Sequence, residues 1–494
     1  MSQKHLIKWY DADKDITGLQ TDIRHDIEIQ REAIPIVFVP GIMGSRLRRR
    51  GKFTGDELGA GLPEKRWDPG SAIWTAGHYL GMSGAYRKLM LVGSSFSPDY
   101  LEVIQDDEPS NGFEGIMDDY WEKFLNQLQS YNWDPIWKIF ELPVYAVGYN
   151  WTDKVENCGK KLADRIEEII SEAKKVTGLC EQVIVVTHSM GGLVSRWASE
   201  KAGANGNILG IIHGVQPVTG APAAYWRMKA GFEGDTGPSL ALGISANDVT
   251  PVLGNIPGGL SLLPNKLHRT NAGRREWLRV VDDGWVTVSL PKSDPYDEIY
   301  RDPAVVSPDS GDSPSTNPYW FLVDPDLLDP GKIVSESAPG SNNDLDARKD
   351  SPWGRYKDVL GLAERMHDQL GDIHHPQTFC SRGYMHLTAD AVELRVEERP
   401  LTTFRNYPLQ GFRGFFRSAD GDRMQAVLQE PAGDGDGTVP LGSAGSLDKF
   451  TQIQPKHRTV DVMHQPAYEA GPIQDFTIEA IVALCEKRYK YKRG

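Results

Sequence analysis

Cysteine is scarce: the chain has four in 494 residues, Cys158, Cys180, Cys380 and Cys485, all far apart. That density argues against a disulfide framework. No pair has the spacing of a metal site, so the four read as buried, reduced thiols. Long apolar runs are also missing. No window approaches the run of consecutive apolar residues that a membrane-spanning helix needs. The first residues, Met1-Ser-Gln-Lys-His-Leu-Ile-Lys-Trp-Tyr10, lack the apolar stretch of a secretory signal. Cytoplasmic synthesis is therefore expected, and export by a signal-independent route stays open. Positive charge is in deficit: 54 Lys and Arg stand against 68 Asp and Glu, a net charge of −14. The basic footprint of a nucleic-acid-binding protein is thus absent. What remains is an ordinary globular composition, long enough for one large α/β domain with insertions or for two domains.

Against this background one stretch stands out: Val183-Ile-Val-Val-Thr-His-Ser-Met-Gly-Gly192. Val183 to Val186 is a short β-branched run, the composition of a buried parallel strand. Leu193 to Lys201 reads as a helix. A serine at the tip of a tight strand–turn–helix is the nucleophile-elbow arrangement, and its neighbours must be small. Gly191 and Gly192 meet that need. Thr187 stands where glycine is usual, and its Cβ crowds the turn.

Other strands fall on both sides. Ile34 to Val39 is the first clear core strand, and it ends in Pro40-Gly-Ile-Met-Gly-Ser45. Leu142 to Val147 and Ile208 to Ile212 follow the same pattern, with a helix from about Asp153 to Val176 between them. Strand and helix alternate, which predicts an α/β fold: a mostly parallel, doubly wound sheet with its ligand site at the C-terminal strand ends. The expected organisation is a lead-in at 1–32 and a first core part at 33–222 carrying an insertion at 51–115. A large cap or lid insertion at 223–375 and a second core part at 376–494 follow. The cap offers Tyr225, Trp226 and Phe232, aromatics that suit an acyl-chain substrate or a buried core equally well. Arg46, Arg48, Arg49, Arg50 and Lys52 form a basic cluster, either a solvated face or an attraction for anionic headgroups at a membrane surface. His374 and His375 are adjacent but have no nearby carboxylate or thiol, so no metal is expected there.

A serine nucleophile needs a base, and the base needs an orienting acid. In this type of fold the order along the chain is serine, acid, histidine. Gly433-Asp-Gly-Asp-Gly-Thr-Val-Pro440 offers Asp436, with Asp434 in reserve. Val462-Met-His-Gln-Pro466 offers His464 at a strand end; His457 is the rival but precedes its strand. His188 reads as a residue that packs or orients the elbow. The backbone N–H groups of Ile42 and Met190 are placed to form an oxyanion hole. On this reading Ser189 attacks an ester, His464 takes its proton, and Asp436 holds the imidazolium. Neither metal nor organic cofactor is required.

Val39-Pro-Gly-Ile-Met-Gly-Ser-Arg-Leu47, Gly148-Tyr-Asn-Trp151, His188-Ser-Met-Gly-Gly192, Gly435-Asp-Gly-Thr-Val439 and His464 occur in one order along the chain. In that order they resemble the lecithin:cholesterol acyltransferase and lysosomal phospholipase A2 branch of lipases. The chain also resembles bacterial lipases of that branch, including type VI secretion phospholipase effectors. The resemblance implies an α/β-hydrolase core with a cap, a glycerolipid-type ester substrate, and Ser189, Asp436 and His464 as the triad. Trp151 and, in the cap, Tyr225 and Trp226 are candidate substrate contacts. Asn150 and Thr152 depart from the Asp and Arg that relatives carry there. By analogy with the effectors, an immunity protein or secretion partner is implied. The leading expectation is a serine carboxylester hydrolase of the phospholipase or lipase type. A lipid acyltransferase with the same triad and a catalytically silent binding protein of the same fold are the alternatives.

Overall fold

The computed structural model describes residues 2–11, 23–50, 66–67, 82–92, 101–104, 113–232, 242–301, 320–331, 351–398, 415–417, 423–429, 431–450 and 456–493. Most of the insertion at 51–115, including Lys52, and most of the Pro/Ser/Asp-rich stretch at 303–351 lie outside these residues.

Among the described residues seven strands make the central sheet. In chain order they are Ile36–Val39 (β1), Phe113–Glu114 (β2), Val144–Val147 (β3), Val183–His188 (β4), Ile208–Gly214 (β5), Thr378–Tyr384 (β6) and Lys456–Asp461 (β7). Across the sheet the order is β7-β6-β5-β4-β1-β3-β2, and every neighbouring pair is parallel. The unbroken apolar runs of β1 and β4 follow from cover on both faces. Val37, Val39, Val183 and Val185 join one core cluster, with Leu162 and Ile166 of helix Val155–Thr177 and Leu193 of helix Gly191–Glu200. Ile36, Phe38, Ile184 and Val186 join a second, with Trp121, Phe124 and Leu125 of helix Asp118–Ser130 and Ile481 and Leu484 of helix Gly471–Arg493. Successive strand residues point to opposite faces, so a sheet buried on both sides needs apolar residues at every position rather than an alternation. The edge strand β2 comes from within the 51–115 insertion, and its two residues carry no pattern long enough to signal a strand.

Beyond β5 the alternation stops. Helices Pro222–Ala230 and Ala246–Leu253 are followed by a hairpin, Leu278–Asp282 and Trp285–Leu290. This hairpin belongs to a separate five-stranded sheet. Leu278–Asp282 pairs in parallel with Val392–Glu398, which continues through Arg423–Leu428 to Phe415–Arg417. The second sheet is thus built from both sides of residue 375, with β6 of the core between its halves. Within the expected lead-in at 1–32, two strands, Ser2–Lys8 and Arg24–Gln30, pair in parallel. All four cysteines are free and buried. Among the described residues no helix is long and apolar enough to cross a membrane.

Candidate active site

The C-terminal ends of β1, β4, β6 and β7 converge on Ser189. At the end of β4 the chain turns through Ser189 with φ of +51°, a left-handed conformation that is rare for a residue with a side chain. Its N–H donates to the Gly214 carbonyl of β5 at 2.9 Å, and its carbonyl accepts from Gly192 at the same distance. The turn is close to its neighbours on both sides. A Cβ at Gly191 would lie 2.4 Å from the Val39 carbonyl oxygen, and one at Gly192 would lie 2.6 Å from the Gln216 side chain. The Thr187 hydroxyl pairs with His213 Nδ1 at 2.9 Å, and its carbonyl accepts from the Tyr468 hydroxyl at 2.9 Å.

Ser189 Oγ lies 2.8 Å from His464 Nε2, and His464 Nδ1 lies 2.8 Å from Asp436 Oδ2. The structure thus brings together three side chains that span 275 residues of sequence. Asp436 is 1% exposed. Its second oxygen, Oδ1, accepts the N–H groups of Thr438 at 2.9 Å and Val439 at 2.6 Å, so the carboxylate is fixed by its own loop. That loop follows strand Gly433–Gly435, which pairs with His386–Thr388 directly after β6. Gly437 adopts φ of +87° and donates its N–H to Thr388 Oγ1. A Cβ at Gly383 of β6 would meet that of Asp436 at 2.5 Å, so glycine there admits the acid. The His464 N–H returns to the Asp436 carbonyl at 2.7 Å. The rival residues lie elsewhere. Asp434 accepts the Met385 N–H, and His457 faces Asp448 at the opening end of β7.

His188 takes a part that its sequence position only hinted at. Its Nε2 stands 2.9 Å from the His464 carbonyl, while its buried Nδ1 has no partner among the described residues. Nε2 therefore carries the proton and donates. Burial, reinforced by neighbouring His464, pushes its pKa down to about 3, so the ring is neutral. A Cβ at Gly41 would meet His188 Nδ1 at 2.8 Å and the Ser189 Cβ at 3.0 Å. The loop after β1 thus presses against the elbow. Among the described residues neither the Ile42 nor the Met190 N–H donates to an acceptor of the chain. Met190 precedes the first turn of helix Gly191–Glu200, where N–H groups are unpaired and the helix dipole favours negative charge.

No family model and no curated protein sequence matches the chain. Among solved structures, one chain of the crystal structure of the Tle4–Tli4 complex matches with a TM-score of 0.66. The match covers 92% of this chain and 99% of that one at 20% sequence identity. The fold is that of an α/β hydrolase. Identity this low carries the fold and leaves the chemistry to the site itself.

The aromatic residues expected to touch substrate fare differently. Trp151 is wholly buried in the core. Tyr225 is wholly buried too; its hydroxyl donates to the Trp320 carbonyl at 2.6 Å and its ring packs edge-on against Trp277. Both side chains are packed in the core cluster of the sheet. Trp226 is half-buried, with its indole N–H 3.5 Å from the Gln429 carbonyl. Its neighbour Arg227 donates to Thr438 Oγ1 at 3.0 Å, tying the first helix after β5 to the Asp436 loop. Nothing in the sequence pairs these two residues, which lie far apart along it. Thr388 and Tyr468 were equally silent: each supports the site through a hydroxyl that carries no motif.

Proposed function

We propose that the protein is a serine carboxylester hydrolase that cleaves lipid esters through Ser189, His464 and Asp436. One observation carries the reading: the unbroken hydrogen-bonded chain from Ser189 Oγ through His464 to a buried, loop-locked carboxylate, both links 2.8 Å long. That geometry suits a nucleophile, its general base and the acid that fixes the base's tautomer. His464 Nε2 takes the proton of Ser189 as Oγ attacks the ester carbonyl. The alkoxide that forms faces the N–H groups of Ile42 and Met190, which have no acceptor among the described residues. His464 returns the proton to the leaving alcohol, and water then releases the acid from the acyl-enzyme by the same steps in reverse roles.

The lipid part of the reading rests on the resemblance of the motifs to phospholipases and on the shared fold. A chain of similar fold has been crystallised in a complex, Tle4 with Tli4. By that analogy we infer that this protein acts as a bacterial lipase effector and meets a neutralising partner protein. Fatty-acid release from mixed phospholipid vesicles, run beside Ser189→Ala, tests the activity. Release by the parent that is abolished by the substitution supports it. Cleavage of small soluble esters without release from lipid would replace it with a soluble-ester hydrolase.

A further inference from the structure

The last helix, Gly471–Arg493, and the turn after helix Asp118–Ser130 frame an open cavity of about 310 Å³, in the size range of small-ligand pockets. None of Ser189, Asp436 and His464 lines it. Its floor is aromatic: Trp133 and Phe140 are 8% and 2% exposed. Tyr131 and Tyr489 line it too and are more exposed. The Tyr131 and Trp133 rings meet at 4.6 Å with their planes inclined by 58°, and Tyr489 is held by stacking on Trp9 at 5.4 Å. Glu486 and Lys490 complete the lining from the last helix. They stand one turn, about 6 Å, apart along it, a spacing at which such a pair commonly joins. Here neither makes a hydrogen bond or an ion pair among the described residues, with each other or with any third group. By contrast Arg488 and Lys492 of the same helix are both held by Glu181. Asp134, the third charged residue of the lining, is matched by Lys138 at 3.3 Å. The cavity thus sets one free carboxylate and one free ammonium beside an aromatic floor.

We propose that this cavity binds a zwitterion of the phosphocholine type, a quaternary ammonium joined to a phosphate. A quaternary ammonium is attracted to the faces of aromatic rings and has no N–H, so it asks no hydrogen bond of an apolar floor. A primary ammonium carries three donors, which Trp133 and Phe140 leave unsatisfied. Glu486 supplies the counter-charge to the ammonium, and Lys490 offers the phosphate a cation. Two free charges of opposite sign match a zwitterion better than a simple cation or a simple anion. The same chemistry occurs free in solution and as the head group of a lipid, and the experiment separates these sources. The inference goes beyond the ester-hydrolase reading and does not rest on it.

Intact protein is titrated calorimetrically with phosphocholine, choline and phosphoethanolamine, and again as Glu486→Gln, Lys490→Gln and Tyr489→Leu. Glu486 and Lys490 are exposed, so their variants fold; thermal melts verify Tyr489→Leu. Phosphocholine is expected to bind about tenfold more tightly than phosphoethanolamine. Glu486→Gln and Tyr489→Leu weaken phosphocholine and choline alike, by about threefold or more. Lys490→Gln weakens phosphocholine and leaves choline unchanged. Flotation with phosphatidylcholine vesicles, run with Ser189→Ala protein so that the lipid stays intact, names the source. Vesicle binding that falls with the same substitutions assigns the site to a lipid head group; phosphocholine binding without vesicle binding assigns it to the free zwitterion. Absence of phosphocholine binding, equal affinity for phosphoethanolamine, or affinity unchanged by all three substitutions overturns the proposal. Hydrolysis of a soluble ester reports separately on Ser189: if Ser189→Ala leaves it intact while the phosphocholine pattern holds, the catalytic reading fails and this site stands.

Discussion

Replacing Asp436 with asparagine puts the site's geometry under the sharpest test. The carboxylate is 1% exposed and each oxygen has a fixed task. Oδ2 accepts from His464 Nδ1, and Oδ1 accepts two backbone N–H groups, from Thr438 and Val439. An amide has one acceptor where the carboxylate has two. If its oxygen satisfies the two N–H groups, its NH₂ faces His464 and forces Nδ1 to accept. The ring proton then sits on Nε2, which can no longer take a proton from Ser189. If the amide flips, its NH₂ meets two N–H donors in a buried loop. The first arrangement is the cheaper and leaves the fold intact. Loss of the correct tautomer costs about 10⁴-fold in kcat, equivalent to about 5.5 kcal/mol of transition-state stabilisation. The assay is steady-state hydrolysis of a soluble chromogenic ester by Asp436→Asn and parent, with thermal melts to verify folding. A variant that melts like the parent and keeps more than a tenth of its kcat would refute the reasoning.

Further outcomes follow from other contacts. Gly41→Ala places a methyl 2.8 Å from His188 Nδ1 and 3.0 Å from the Ser189 Cβ; the displaced elbow loses about 10²-fold in kcat with little change in melting temperature, and unchanged kcat would show that the loop gives way freely. Buried His188, His268 and His367 have pKa values pushed down to about 3, 3 and 4, in each case chiefly by burial. The unfolded chain binds their protons below about pH 6.5 and the folded chain does not, so stability is full above that pH and falls as pH drops toward 4. The slope is about 1.4 kcal/mol per pH unit for each histidine, measured by urea unfolding across pH; a flat profile between pH 6.5 and 4.5 would contradict the burial. Arg488 of the last helix bonds Glu32 at 2.5 Å, with both side chains buried; Arg488→Met strands a buried carboxylate and costs about 3–5 kcal/mol. Adding Glu32→Gln should recover most of that loss, and a double variant no more stable than the single one would show that the pair is not the cause.

The sheet and the elbow were legible because their constraints are local. β1 and β4 announce themselves through unbroken aliphatic runs, and the serine is marked by glycines that must yield to Val39 and Gln216. Asp436 stood out for the same reason: the glycines around it permit a turn whose N–H groups the carboxylate itself collects. What stayed hidden depends on long-range contact. The hydroxyls of Thr388 and Tyr468, the bond from His188 to the His464 carbonyl, and the link from Arg227 to Thr438 have no periodicity and no motif. Aromatic side chains serve cores and lipid pockets equally well, so the sequence alone does not show that Trp151 and Tyr225 are buried in the core cluster. The second sheet was missed for a topological reason: its strands come from segments more than a hundred residues apart, with β6 inserted between them.

The central claim is that Ser189 is the nucleophile. Intact protein incubated with a fluorophosphonate and analysed by peptide mass spectrometry tests it most directly. The expected result is one covalent adduct, on Ser189, formed fast in the parent and slowly or not at all after His464→Ala. A folded parent that stays unlabelled, or that is labelled at another serine, would contradict it.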